Sequence, residues 1–459
     1  MTGAGVALEL RAELYGWART LLRVLRGAPG QVCVLFALAW IALPWSVAAI
    51  AVTAAIFALC RWWARRHPRL VARVLGPVRG WRLRWQLTNR WEEICRRCGL
   101  AVPDVPAIRR SRATWPHVQL LVRPVLGQTL KDFENASEAV RVGVGASRVR
   151  VESDGIRDVL LTFTIGDELS APFTAEPHPT ADSLVTVRMG RREDGSPWDM
   201  PIGPHTLVAG CSGSGKGSLF WSFAFGLAPA VRDGRVQLHG IDLKGGMEIL
   251  MGADLFTTSA TNAAEAVVVL ELLVVRMRER AQTYAGRLRS HTPSVDEPLH
   301  VVMIDELAAL TAYCPDRDLQ RRAENAINLL CSQGRAPGFM VFACLQDPRK
   351  EVIPSRGLFT QMVGLRLKDL SETSMVLGEA AVHSGAHCHR ITRDVPGTGY
   401  VLPENGGHPI RVRAGFASDE DIRAVAAQYA TPVRLPIEVP LVAEFEPRPR
   451  RSRTSGVAP

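Results

Sequence analysis

One segment limits the possible folds more than any other. The apolar run Thr206–Ala209 leads directly into Gly210-Cys211-Ser212-Gly213-Ser214-Gly215-Lys216-Gly217-Ser218, and an apolar, helix-like stretch, 219–228, follows. This is the strand–loop–helix context that a G-x-x-x-x-G-K loop requires. Glycines let the backbone curl until consecutive N–H groups point at one anion, and the helix N-terminus adds partial positive charge. Lys216 contributes a point charge able to reach terminal phosphate oxygens. One position departs from the pattern: the hydroxyl residue that usually follows the lysine is Gly217, with Ser218 one place later. Ser218 is expected to take the metal-ligating part through a small shift, or else a water fills the site.

A second apolar run, 300–304, ends in Asp305 and Glu306. Parallel strands end on one edge of a sheet, so both acids should lie beside the loop. Asp305 is expected to hold the Mg2+ shell, and Glu306 to orient and deprotonate an attacking water. The run Val236–Ile241 brings Asp242-Leu243-Lys244 to the same edge, and 339–343 precedes Gln346, which is polar at a γ-phosphate-sensing position. With 362–367, these apolar runs alternate with helical stretches such as 263–289. That alternation predicts a helix-covered, mostly parallel sheet over 179–430. The reading is an ATPase using ATP and Mg2+, with Lys216, Asp305, Glu306 and Gln346 as its catalytic set.

These motifs resemble the FtsK/SpoIIIE family of DNA-pumping ATPases. The resemblance rests on the phosphate loop, Asp242-Leu243-Lys244, Asp305-Glu306-Leu307-Ala308, and Gln333-Gly334-Arg335-Ala336 leading to Gln346. Gly215-Lys216-Gly217-Ser218, Lys244-Gly245-Gly246-Met247-Glu248, the run from Asp305 to Tyr313 and Leu345-Gln346-Asp347-Pro348-Arg349-Lys350 are similar to the transfer proteins of actinomycete plasmids and integrative elements. A glycine after the lysine is usual in that subgroup. The resemblance spans roughly 100–427. It implies a RecA-like P-loop motor in a homo-hexameric ring, double-stranded DNA in the pore, a membrane-anchored N-terminus and movement of DNA between cells. Two departures stand out. Met362 occupies the place of the arginine that such rings offer to a neighbouring subunit, leaving Arg335, Arg356 and Arg366 as candidates. About 30 residues follow the motor, too few for the winged-helix reader that other members carry.

Residues 32–60 carry no charge and contain Pro44, and they lie between a basic N-terminus, 1–31, and the Arg/Trp-rich stretch 61–100. Arginines on both sides favour a hairpin with both ends inside, and a single tilted span is the other reading. Either way the motor is cytoplasmic, and 61–100 is expected as a juxtamembrane linker along an anionic leaflet. A mean hydropathy of +0.05 with a single long apolar run argues against a polytopic carrier. Residues 101–178 read as a small α+β module, and 431–459, rich in Pro and Arg, as a disordered tail. Fifty-five Lys and Arg against 45 Asp and Glu suit an anionic partner, nucleic acid or membrane. Nine scattered cysteines suit a reducing compartment. Neither Cys95 with Cys98 nor the cluster His383, His387, Cys388 and His389 was assigned a metal. The function expected is conjugative transfer of double-stranded DNA, with a chromosome-segregation pump or a protein-secretion ATPase as alternatives.

Overall fold

The computed structural model describes residues 68–101, 104–114, 116–177, 184–349, 356–403 and 407–438, with scattered positions between 54 and 66. The expected membrane run 32–60 lies almost wholly outside the described residues, as do 1–31, the Arg356 side chain and 439–459. Among the described residues no helix is long and apolar enough to cross a membrane. Contacts divide the chain into two units, 1–167 and 168–459.

The first unit holds α1 (Pro68–Asn89), α2 (Trp91–Arg97), β1 (Ala107–Thr114), β2 (His117–Arg123), α3 (Leu130–Val144), β3 (Arg148–Asp154) and β4 (Asp158–Thr164). Its sheet is antiparallel, in the order β1-β2-β4-β3. Strand β2 alternates as a half-buried strand should, with Val118, Leu120 and Val122 inside. A Thr129/Asp132 capping box starts α3, and Gly145 ends it in the left-handed conformation. The stretch 61–100, expected as a linker, is mostly helical. Leu83, Leu87, Trp91 and Cys95 share one core with Phe133 and Phe163, and Trp91 Nε1 donates to the Pro106 carbonyl at 2.6 Å. Burial pushes the Cys95 thiol up to about 12, consistent with a packing residue.

The second unit starts earlier than the expected boundary at 178, because Ala175 N–H bonds the Phe416 carbonyl at 2.8 Å. Its strands are β5 (Thr186–Arg192), β6 (Pro197–Pro201), β7 (Thr206–Ala209), β8 (Val236–Ile241), β9 (Phe256–Ala260), β10 (Leu299–Ile304), β11 (Phe339–Leu345), β12 (Gln361–Gly364), β13 (Thr398–Val401) and β14 (Ile410–Ala414). They form one sheet in the order β6-β5-β14-β13-β12-β7-β11-β10-β8-β9. The six strands from β12 to β9 are parallel. The β6–β13 side is antiparallel, so the sheet is mixed and, as expected, mostly parallel. The crossover order puts the C-terminal ends of β7, β11, β10 and β8 side by side on one edge.

Helix α4 (Lys216–Arg232) is apolar nearly all round and is buried accordingly. Phe223 stacks on Phe342 of β11 with ring centroids 4.6 Å apart. Gly226 admits β5 against the helix, since a Cβ there would lie 2.1 Å from Val187 Cγ1. The opposite face carries α5 (Ala263–Tyr284) and α7 (Arg317–Gln333), with short α6 (Leu307–Leu310) between them in sequence. Arg322 of α7 makes a bidentate ion pair with Glu271 of α5 at 2.7 and 2.8 Å. Helices α8 (Leu370–Leu377), α9 (Glu379–His383) and α10 (Asp419–Gln428) complete the unit. The expected disordered tail is docked at its start: Thr431 N–H bonds the Asp254 carbonyl and Leu435 N–H the Thr257 carbonyl.

Three histidines lie inside this unit. His239 bonds His300 at 3.1 Å and Thr258 Oγ1 at 3.0 Å, and His205 Nδ1 accepts from Val341 N–H at 3.1 Å. Burial holds all three neutral, at about 3 for His239, about 2 for His300 and about 4 for His205. Unfolded histidine titrates near 6.5, so below that pH the unfolded chain binds protons the folded chain refuses. Stability is therefore full above about pH 6.5 and is lost as pH falls towards the folded values. Each histidine costs roughly 1.4 kcal/mol per pH unit in that window. Urea midpoints should drop steeply between pH 6.5 and 5, and His205→Gln should flatten that slope. A midpoint unchanged across this range would contradict the account.

Candidate functional site

The phosphate loop sits at the C-terminal end of β7. Gly210 N–H bonds the Leu345 carbonyl of β11 at 3.0 Å, and Cys211 N–H bonds the Arg366 carbonyl at 2.9 Å, fixing the loop between two strands. Gly213 and Gly215 have φ of 68° and 93°, which side chains other than glycine rarely adopt. A Cβ on Gly215 would also lie 2.1 Å from Gly397 N. Lys216 is buried at the first turn of α4, with Nζ donating to the Gly210 carbonyl at 2.8 Å and the Cys211 carbonyl at 3.3 Å. Burial lowers its pKa, against the pull of Cys344, Glu306 and Asp305.

Asp305 and Glu306 lie on the same edge, one strand beyond β11. Glu306 is buried. Its Oε1 accepts from Gln346 N–H at 3.2 Å, and its Oε2 has no hydrogen-bond partner. Burial pushes this carboxyl above its ordinary range, opposed by the Gln346 N–H and by Lys244 and Lys216. Gln346 is thus brought to Glu306, at the end of the strand between β7 and β10.

Two further side chains reach this edge. Lys244 Nζ pairs with Asp305 Oδ2 at 2.7 Å and stands 3.9 Å from Glu306 Oε2. Burial works to lower its pKa, but the bond to Asp305 and the charges of Asp305, Glu306 and Asp242 raise it overall. Glu248 is the other. Its Oε1 accepts from Trp221 Nε1 at 2.7 Å and its N–H donates to Asp242 Oδ2 at 2.8 Å. Burial raises its pKa most, and Trp221 opposes. The visible signal for Glu248 was the missing hydroxyl at position 217.

Other expected residues are placed as follows. Ser218 faces Gly397, where a Cβ would stand 3.5 Å from Ser218 Cβ. Arg366 donates to the Ser212 carbonyl of its own loop at 2.8 Å. Arg335 is exposed just before β11, at the strand end opposite the loop. Met362 lies within β12. Cys388 is buried in the packing of β12 and α8, and the described residues hold no group of three or more His, Cys, Asp or Glu drawn together around a metal.

Residues 168–292, which contain the phosphate loop and Asp242–Glu248, match the FtsK/SpoIIIE family model. Among curated proteins, it is 26% identical over 403 residues to the transfer protein TraSA of Streptomyces ambofaciens, covering 78% of this chain and 94% of that one. It is 24% identical over 337 residues to the DNA translocase FtsK of Streptococcus agalactiae, covering 66% of this chain. It is 27% identical over 291 residues to FtsK of Mycobacterium leprae, covering 57% of this chain. The match spans nearly the whole TraSA relative but only 39% and 32% of these FtsK proteins. Among solved structures, the pCW3 conjugation coupling protein TcpA with ATPgS aligns at a TM-score of 0.49 and 16% identity, covering 74% of this chain and 98% of that one. ATPases 2 and 3 of Thermomonospora curvata EccC align at 0.44 and 17%, covering 60% and 54%. The segment that matches the FtsK/SpoIIIE family model starts at Glu168, where the contacts also begin the second unit.

Proposed function

We propose that this chain is an ATP-driven translocase of double-stranded DNA, working as a homo-hexameric ring at the cell membrane with its motor in the cytoplasm. Its task is conjugative transfer of a plasmid or integrative element. The observation that carries the reading is the meeting of the Lys216 loop, the Asp305-Glu306 pair and Gln346 on one edge of the sheet. The names of its relatives, a transfer protein and DNA translocases, supply the cargo. The excess of basic residues and the exposed Val78, Trp81 and Trp85 beside Arg79 and Arg82 on α1 support an anionic membrane surface nearby.

The chemistry follows from the side chains. The loop N–H groups and Lys216 take the β- and γ-phosphates, Lys216 exchanging two carbonyl partners for phosphate oxygens. Glu306, with its raised pKa and free Oε2, takes a proton from the attacking water, while Gln346 holds that water and senses the γ-phosphate. Asp305 and Glu306 lie side by side next to Lys244, and their hard carboxylate oxygens suit Mg2+. Mg2+ typically takes only one or two protein carboxylates besides phosphates and waters. Asp305 would hold it, with Ser218 the candidate read from sequence. When bound, it supplies charge that steadies the phosphate oxygens.

The test is ATP hydrolysis by the full chain with and without linear duplex DNA. Duplex of any sequence should stimulate turnover about tenfold or more, with a steep loss as salt rises, because contact to phosphate is sequence-independent. Turnover indifferent to DNA would overturn the proposed cargo and favour a protein-threading motor.

A further inference from the structure

We propose that Glu248 replaces the hydroxyl that normally follows the phosphate-loop lysine, as the protein's contribution to Mg2+ on the loop side, and that position 217 is glycine to admit it. The inference rests on the nucleotide-site reading above and adds a residue to it.

The geometry is specific. A Cβ built on Gly217 would stand 2.9 Å from Glu248 Oε1 and 3.6 Å from its Cδ. Real Cβ atoms rarely tolerate so close an oxygen, so the space in which a Ser or Thr side chain would begin is already filled by a carboxylate. Ser218, at the next position, starts from a different side of the helix. Successive helix residues are about 100° apart, and Ser218 is turned towards Gly397 on the β13 side.

Glu248 is also held in place. Trp221, one turn after Gly217 on the same face of α4, donates to Oε1 at 2.7 Å. The loop after β8 is folded around Asp242, which accepts Lys244 N–H through Oδ1 at 2.9 Å and Glu248 N–H through Oδ2 at 2.8 Å. Gly245 and Gly246, at φ of 78° and 75°, let that loop turn back. One loop therefore delivers two side chains to the site: Lys244 to Asp305, and Glu248 to the first turn of the phosphate helix. A carboxylate beside a triphosphate is repulsive unless a cation lies between them, and Mg2+ binds carboxylate and phosphate oxygens together.

The experiment follows binding of a fluorescent, non-hydrolysable ATP analogue to the full chain, first in EDTA and then across a Mg2+ titration. Glu248→Gln keeps the shape and an acceptor for Trp221 but removes the charge. Its affinity in EDTA should stay within about twofold of the unmodified chain. The Mg2+ concentration giving half-maximal tightening should rise about 10- to 100-fold, the scale on which metal sites lose affinity when a supporting group is removed. Pairing Glu248→Ala with Gly217→Ser restores a hydroxyl and frees its space, and should recover most of the Mg2+ response. An unchanged Mg2+ requirement in Glu248→Gln overturns the proposal. So does an equal loss of binding in EDTA, which would make Glu248 a brace for Trp221 alone. Failure of the parent reading looks different: Lys216→Ala would then bind the analogue as the unmodified chain does.

Discussion

Lys216→Ala lowers ATP turnover by at least about 100-fold, the scale on which a preorganised charge contact contributes. The lysine is buried with its ammonium on two loop carbonyls, Gly210 and Cys211, so it is a fixed part of the cradle and not a surface charge that salt or a neighbour can replace. Alanine leaves those carbonyls without their donor and the phosphates without their cation. The stability cost should be small, about 1–3 kcal/mol for lost buried hydrogen bonds, so the variant should remain folded. Phosphate release and circular dichroism together check this. A folded variant with turnover within threefold of the unmodified chain would remove the loop from the chemistry.

Glu306→Gln stops the cycle at a different point. The amide retains an oxygen for the Gln346 N–H and the same volume, so nucleotide binding should persist within a few-fold. It cannot accept a proton, and turnover should fall by about 100- to 10,000-fold. ATP should then remain uncleaved on the protein, visible by acid quench of bound nucleotide. The unmodified chain carries a related signature. Glu306 works only when ionised and burial raises its pKa, so turnover should climb with pH through a range above that of ordinary carboxylates. That rising limb should disappear in the glutamine variant. Normal release of phosphate by Glu306→Gln would take the base role away from it.

The central strands were legible because burial on both faces leaves a chain no choice but continuous apolar residues. β7 and β11 read as nearly continuous apolar runs, β8 and β10 as apolar runs interrupted by Gln237, His239 and His300, and all four lead into the residues of the site. The outer strands were not. β5 and β14 carry arginines, and they become strands through their antiparallel partners rather than through their own composition. The stretch before residue 100 misled for another reason. Its arginines and tryptophans suggested a linker, yet Leu83, Leu87, Trp91 and Cys95 recur every fourth residue, the spacing of a helix face. Glu248 was hidden by distance: no local spacing connects it with Gly217, and only the crossover from β8 brings them together.

The Lys244–Asp305 ion pair has a consequence for how nucleotide and metal would bind. Lys244 offsets part of the negative charge at the acidic end of the site. A Mg2+ ion taking up Asp305 would have to displace Lys244, which is delivered by the loop after β8, three strands along the sheet from β7. On the proposed function, the Lys244 loop would exchange its partner as nucleotide and metal bind.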